Sequence, residues 1–281
     1  MTVVEETHAR AADRAQPRQL IVTLFGLYAR EHGGWLSVAA LVRLLAALDI
    51  DEPAVRSSVS RLKRRGLLEP RRVGGAAGYA LSGDAIDLYA DGDVRIFGRR
   101  RATAADGWVL VAFSVPEAER DRRHALRARL GALGFGTVAP GVWVAPGHLA
   151  DEVADVLRRA GLDGYVQLFR GEHLAFGDLR GKVATWWDLD TLHAMHTEFL
   201  HRHGPLRQRW SGAAPTDPAT AFADHVRVLT DWRRLAYADP GLPLELLPPD
   251  RAEARAGELF AELQERLAVP SREHAEAVIA G

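Results

Sequence analysis

The stretch from Pro53 to Arg72 most constrains what this chain can fold into and meet. It holds seven basic residues (Arg56, Arg61, Lys63, Arg64, Arg65, Arg71, Arg72) against Glu69 alone, a net of +6. Within it Val55, Val59 and Leu62 recur at helical spacing and share one face. At about 100° per residue the opposite face carries Ser57, Ser60, Arg61 and Arg64, flanked by Arg56 and Lys63. Such a helix needs an apolar core behind it and a polyanion or water in front. The basicity is local, because the whole chain has 36 Lys and Arg against 37 Asp and Glu. One polyanion-binding face on a near-neutral molecule is the reading this favours over general stickiness.

The flanking sequence supplies that core. Arg18 to Arg30 places Leu20, Ile21, Leu24, Leu27 and Tyr28 on one helical stripe, and Gly33 and Gly34 end it. Ser37 caps a second helix to about Leu48, with Val38, Leu41, Val42 and Leu45 inward. Pro53 suits the first turn of a third helix that stops at Gly66. Leu67 to Arg72 and Tyr79 to Leu81 read as strands joined by a loose Gly74–Gly78 turn. Three helices and a two-stranded hairpin form the winged helix-turn-helix order over residues 18–82. A helix fits the major groove, arginine can bond a guanine edge, and serine suits phosphates or bases. Ser57, Ser60, Arg61 and Arg64 are therefore assigned to the groove, and Arg56, Lys63, Arg71 and Arg72 mainly to phosphates. The competing reading of the same face is a solvated one.

At 281 residues the chain accommodates two domains or three small ones. Residues 1–17 read as a flexible polar tail without the apolar core of a secretory signal. The absence of cysteine excludes disulfides, thiolate catalysis and Cys-ligated zinc, and makes the cytoplasm the expected compartment. Residues 83–105 read as a linker that begins acidic and ends in Arg95, Arg99, Arg100 and Arg101. That cluster suits a bridge to the next domain's acids better than an extension of the phosphate-binding surface.

Residues 106–180 follow a ferredoxin-like βαββαβ order. Strands are expected over Trp108–Val115, Phe135–Ala139, Val142–Ala145 and Tyr165–Phe169. Helices are expected after Pro116 and over Leu149–Ala160. The segment looks like the small Cas2-type nuclease fold. Two-metal phosphodiester chemistry, however, requires convergent carboxylates, and the first strand ends Ala112-Phe113-Ser114-Val115, with none before Glu117. A dimerisation module and no catalytic residue are expected here. Residues 181–281 read as a helical domain for effector sensing, with helices over 182–203, 218–237 and 251–267. His193 and His196, with His201 or His203, could ligate a divalent ion, but their spacing matches no recognised motif, and no metal site is assigned. The tryptophans and arginines suit an aromatic or acyl-CoA effector without singling out a contact. No resident cofactor is expected.

Four stretches carry a family likeness. They are Val55-Arg56-Ser57-Ser58-Val59-Ser60-Arg61-Leu62-Lys63-Arg64-Arg65-Gly66-Leu67-Leu68; Val115-Pro116-Glu117 with Arg120, Arg123 and Leu126; Gly134-Phe135 with Ala139-Pro140-Gly141-Val142-Trp143-Val144; and Trp232-Arg233-Arg234 with Asp239-Pro240-Gly241-Leu242-Pro243 and Leu246-Leu247-Pro248. In this order they resemble the PaaX family of bacterial transcriptional regulators. The resemblance implies an α+β chain with a winged-helix N-terminal domain, a Cas2-like middle domain and a helical C-terminal domain. It also implies a homodimeric repressor of a catabolic operon that reads an inverted repeat in double-stranded DNA and is released by phenylacetyl-CoA or a similar aromatic acyl-CoA. One departure stands out: where the family usually has tryptophan after Asp250, this chain has Arg251. Two other functions stay open at this point, a metal-dependent nuclease and an acyl-CoA-binding module that does not touch DNA.

Overall fold

The computed structural model describes residues 16–98, 100–174, 176–212, 217–250 and 252–281. Most of the expected tail, and the positions of Arg99 and Arg251, lie outside the described residues. The chain divides into two compact units. One comprises Met1–Val94, His203–Trp232 and Leu259–Gly281, the other Arg95–Arg202 and Arg233–Glu258.

In the first unit, α1 (Pro17–Leu24) runs on through a π turn and a 3-10 turn to His32, where Gly33 turns left-handed. A short strand β1 (Trp35–Ser37) leads into α2 (Val38–Ala46), and the Ser37 hydroxyl accepts the Ala40 N–H at 3.0 Å. Then come α3 (Glu52–Arg64), β2 (Leu68–Val73) and β3 (Ala76–Leu81), with strand order β1-β3-β2. β1 is not visible in the sequence pattern, because three residues are too few to show alternation. The connection between β2 and β3 is also tighter than the expected five-residue turn. Val73 pairs with Ala76 across Gly74 and Gly75, both at positive φ, the backbone a two-residue hairpin requires. Gly78 belongs to β3 instead, where any side chain would collide with the Leu36 carbonyl and the Trp35 indole. The core gathers Ile21, Leu24, Phe25, Leu41, Leu45, Val55, Val59 and Leu62, joined by Phe222, Val226 and Ala275.

The linker expected at 83–105 is corrected. It is largely a helix, α4 (Gly83–Phe97), whose first turn is capped by the Ser82 hydroxyl accepting the Ala85 N–H at 3.2 Å. Its helical signal is Ala85, Gly92 and Ile96 on one buried side, which the acidic residues obscure. The arginines at its end are bound within the second unit, as a bridge to acids requires: Arg95 to Glu152, Arg100 to Asp106 and Arg101 to Asp239.

The second unit is built on β4 (Trp108–Phe113), α5 (Arg120–Ala132), β5 (Gly136–Ala139), β6 (Val142–Pro146), α6 (Ala150–Arg159) and β7 (Val166–Gly171). The sheet order is β5-β6-β4-β7, antiparallel throughout. Leu126, Leu130, Val153 and Leu157 pack the two helices on one sheet face with Val109 and Val111. On the other face Trp108 and Val144 meet Val183, Leu242 and Leu247.

From Leu179 the chain contributes α7 (Leu179–Trp186), α8 (Leu189–Arg209), α9 (Pro218–Ala238) and α10 (Ala252–Ala280). The single helix expected over 182–203 is broken, because Asp188 caps a new one through the Thr191 N–H at 3.0 Å. The last helix outruns its expected end at 267 and passes Pro270. Buried Leu263, Leu267, Ser271 and Ala275 hold one face of it down across the missing N–H. These helices do not form one body of their own, as 181–281 was read. Their residues are shared between the two units.

Candidate nucleic-acid interface

The interface begins at Asp51, whose carboxylate accepts the Ala54 N–H at 2.8 Å and starts α3. From there Val55, Val59 and Leu62 go into the core, each with at most 3% of its surface exposed. The other side of α3 is therefore fixed outward, and Arg56, Ser57, Ser60, Arg61, Lys63 and Arg64 are all exposed there. Gly66, at φ 71°, ends the helix, and the Ser82 hydroxyl donates to its carbonyl at 2.6 Å, tying the helix end to the far end of the hairpin. Arg71 and Arg72 are exposed on β2. All eight residues assigned to nucleic acid from the sequence thus lie at the surface of one unit.

Their engagements differ. Arg61 donates to Ser57 Oγ at 2.7 Å and to Ser58 Oγ at 3.0 Å, so its guanidinium is held along the helix surface by hydroxyls rather than by a carboxylate. Arg56 is the exception in the group, paired with Glu52 one turn earlier through Nε at 2.8 Å. Exposed i,i+4 pairs of this kind contribute only about 0.3–0.5 kcal/mol and yield readily to a phosphate. Lys63 holds its ammonium 5.9 Å from the Tyr79 ring centroid, which links α3 to β3. The Trp35 indole N–H donates to the Arg71 carbonyl at 3.1 Å and anchors the hairpin from β1. Among the described residues, Arg61, Lys63, Arg64, Arg65, Arg71 and Arg72 have no carboxylate partner in an ion pair. Five guanidinium groups and an ammonium without counter-charge on one short helix and strand form a face with an electrostatic demand for anions.

Sequence reasoning did not assign Arg65, which is exposed directly after α3 and belongs to the same basic run. It also could not find the support given by Trp35, because β1 was unseen.

The candidate ligands among the histidines do not converge. His196 is buried against Asp239 at 2.9 Å, His203 against Asp231 at 3.0 Å, and His201 is exposed. His193 turns instead to Asp250 and Glu253. Nor do the carboxylates nearest the first strand of the βαββαβ unit converge. Glu117 is paired with Arg123 at 2.9 Å, and Glu119 accepts the Tyr165 hydroxyl.

Comparison with known proteins gives three consecutive segments rather than the two interleaved units. Three family models match: PaaX-like protein over residues 16–85, the PaaX protein central Cas2-like domain over 101–183, and the PaaX-like protein C-terminal domain over 187–277. The chain is 29% identical over 266 residues to the transcriptional repressor PaaX of Escherichia coli (strain K12), a match covering 93% of this chain and 83% of that protein. Among solved structures, uncharacterized protein Rv0674 from Mycobacterium tuberculosis is similar with a TM-score of 0.55 at 22% identity, covering 91% of this chain and 96% of that one. That likeness is one of fold.

Proposed function

Because the chain belongs to the PaaX family, we propose that it is a transcriptional repressor whose first unit is a winged helix-turn-helix that inserts α3 into the major groove of duplex DNA. The observation that carries this reading is the outward face of α3, where Ser57, Ser60, Arg61 and Arg64 stand exposed opposite three buried aliphatic side chains. Arg61 and Arg64 read base edges, Ser57 and Ser60 bond bases or adjacent phosphates, and Arg56, Lys63, Arg71 and Arg72 hold the backbone. One helix meets too few bases for useful selectivity, so the working form is a homodimer on an inverted repeat. The family resemblance implies an operator before a catabolic operon, and the absence of cysteine makes the cytoplasm the expected compartment. An aromatic acyl-CoA resembling phenylacetyl-CoA releases it by favouring the arrangement that cannot hold both half-sites. An effector of equal affinity for both states would shift nothing.

The test is a mobility shift on the DNA flanking its own gene, with random duplex as competitor and potassium chloride as the second variable. Retarded DNA that survives the competitor and is released by phenylacetyl-CoA supports the reading. Equal affinity for flanking and random duplex removes sequence-specific repression. No binding at low salt removes DNA binding altogether and leaves an acyl-CoA module. Incubation with magnesium or manganese leaves the duplex intact, because Glu117 and Glu119 are already engaged by Arg123 and Tyr165.

A further inference from the structure

In the second unit, His193 on α8 meets two carboxylates from the start of α10 and the loop before it. Its Nδ1 lies 3.1 Å from Glu253 Oε1, and its Nε2 lies 3.3 Å from Asp250 Oδ2. One donor atom from each of the three side chains lies within 4.8 Å of the other two. Glu253 is only 1% exposed, and its second oxygen, Oε2, has no hydrogen-bond donor. A buried carboxylate oxygen left without a donor has lost its hydration with nothing in return, a deficit that a cation at that point would offset. The neighbouring guanidinium does not fill this role by hydrogen bonding, because Arg101 is directed to Asp239 Oδ2 at 2.9 Å and to the Leu242 carbonyl at 3.2 Å.

We propose that His193, Glu253 and Asp250 form a divalent transition-metal site that joins α8 to the start of α10. Donors around an ion with bonds of about 2.1 Å stand roughly 3–3.5 Å apart, close to the His193–Glu253 separation. Asp250, whose side chain is 52% exposed, is the ligand with room to close the remaining distance. One ion takes one ring nitrogen, and Nδ1, facing the orphaned carboxylate, is that donor. The Asp250 carboxylate, 3.3 Å from Nε2 before the ion enters, turns to the Nδ1 side to complete the set, its donor atom already within 4.8 Å of the other two. One imidazole with two carboxylates suits zinc, manganese, cobalt or nickel, whereas magnesium and calcium prefer oxygen alone. With three protein donors and an exposed edge at Asp250, a coordination position faces solvent.

The test uses the full chain without an affinity tag, stripped with EDTA and dialysed against zinc, manganese or nickel. Bound metal is then measured by elemental analysis and affinity by calorimetry. One equivalent is expected, weakened at least about tenfold in His193→Asn and in Glu253→Gln, and unchanged in His201→Asn, which removes an exposed imidazole on the same helix. Asp250→Asn, at a half-exposed position, supplies a weakened variant whose folding is not in question. Circular dichroism of each variant separates lost ligation from lost structure. No binding, or binding equal in all variants, overturns the site as an adventitious ion only. The outcome is independent of DNA binding, which the mobility shift measures separately.

Discussion

Arg61 bridges two serines on its own helix, donating to Ser57 Oγ at 2.7 Å and Ser58 Oγ at 3.0 Å. Ser58 is fully buried and Ser57 is exposed, so the guanidinium spans the boundary between core and surface. An arginine ordered in this way loses less conformational freedom on meeting a base edge than one that is mobile in water.

Arg61→Ala is expected to weaken operator binding by about 1–3 kcal/mol and to relax preference at one base position. Titration of duplexes varied at each position measures both effects. Equal losses on operator and random DNA would make Arg61 a phosphate ligand instead.

Arg71→Ala and Arg72→Ala should weaken binding uniformly across sequences. Each should lower the slope of log affinity against log salt by about 0.9, the change expected when one phosphate is no longer neutralised. Affinities between 50 and 200 mM salt, on the order of the usual working range, give the slope directly. An unchanged slope would place the hairpin away from the backbone.

Leu62→Ala removes a side chain only 1% exposed that holds α3 against the core. A cost of about 2–5 kcal/mol in urea unfolding is expected. Loss of DNA affinity should follow loss of fold, so this variant calibrates the surface substitutions.

Arg95→Ala tests the second unit. This guanidinium is 8% exposed and donates to the Ala236 carbonyl at 3.0 Å, the Leu133 carbonyl at 2.5 Å and Glu152 at 3.2 Å. Burial lowers its pKa from the ordinary arginine value, and Glu152 offsets part of that. Truncation strands two carbonyls and should destabilise the protein by about 2–4 kcal/mol in chemical denaturation. A change below about 0.5 kcal/mol would mean that solvent replaces these bonds.

Stability should also fall on mild acidification. His225 and His148 are both held below the ordinary imidazole value of 6.5, His225 by burial and His148 by burial together with the charge of Arg100. Below about pH 6.5 the unfolded chain therefore binds more protons than the folded one, and unfolding is favoured as pH drops toward the lower folded values. Urea midpoints at about pH 7.5 and 5.5 measure the slope, and His225→Gln should flatten it. An unaltered slope in that variant would assign the effect to His148.

The α3 face could be read from the sequence because its information is local. Val55, Val59 and Leu62 fix one side at helical spacing, and the residues between them must then point the other way. The βαββαβ order was legible for the same reason, through strands rich in β-branched and aromatic residues and a Pro140-Gly141 turn. β1 and α4 were not. One is too short to show a period, and the other hides its buried Ala85, Gly92 and Ile96 among charged neighbours.

Periodicity reports which face of a helix is apolar, but not which distant segment covers it. The sequence alone therefore determined the basic helix, its stop at Gly66 and the charge it presents. Only tertiary structure decided that Phe222 and Ala275 complete the core behind that helix, that the four histidines part company, and that His193 finds Asp250 and Glu253 about sixty residues away. Hydrophobic burial is non-directional and fills whatever apolar surface chain closure brings near, whereas a buried carboxylate or imidazole accepts only a partner of matching geometry. Those partners are chosen in three dimensions, after the local pattern has done all it can.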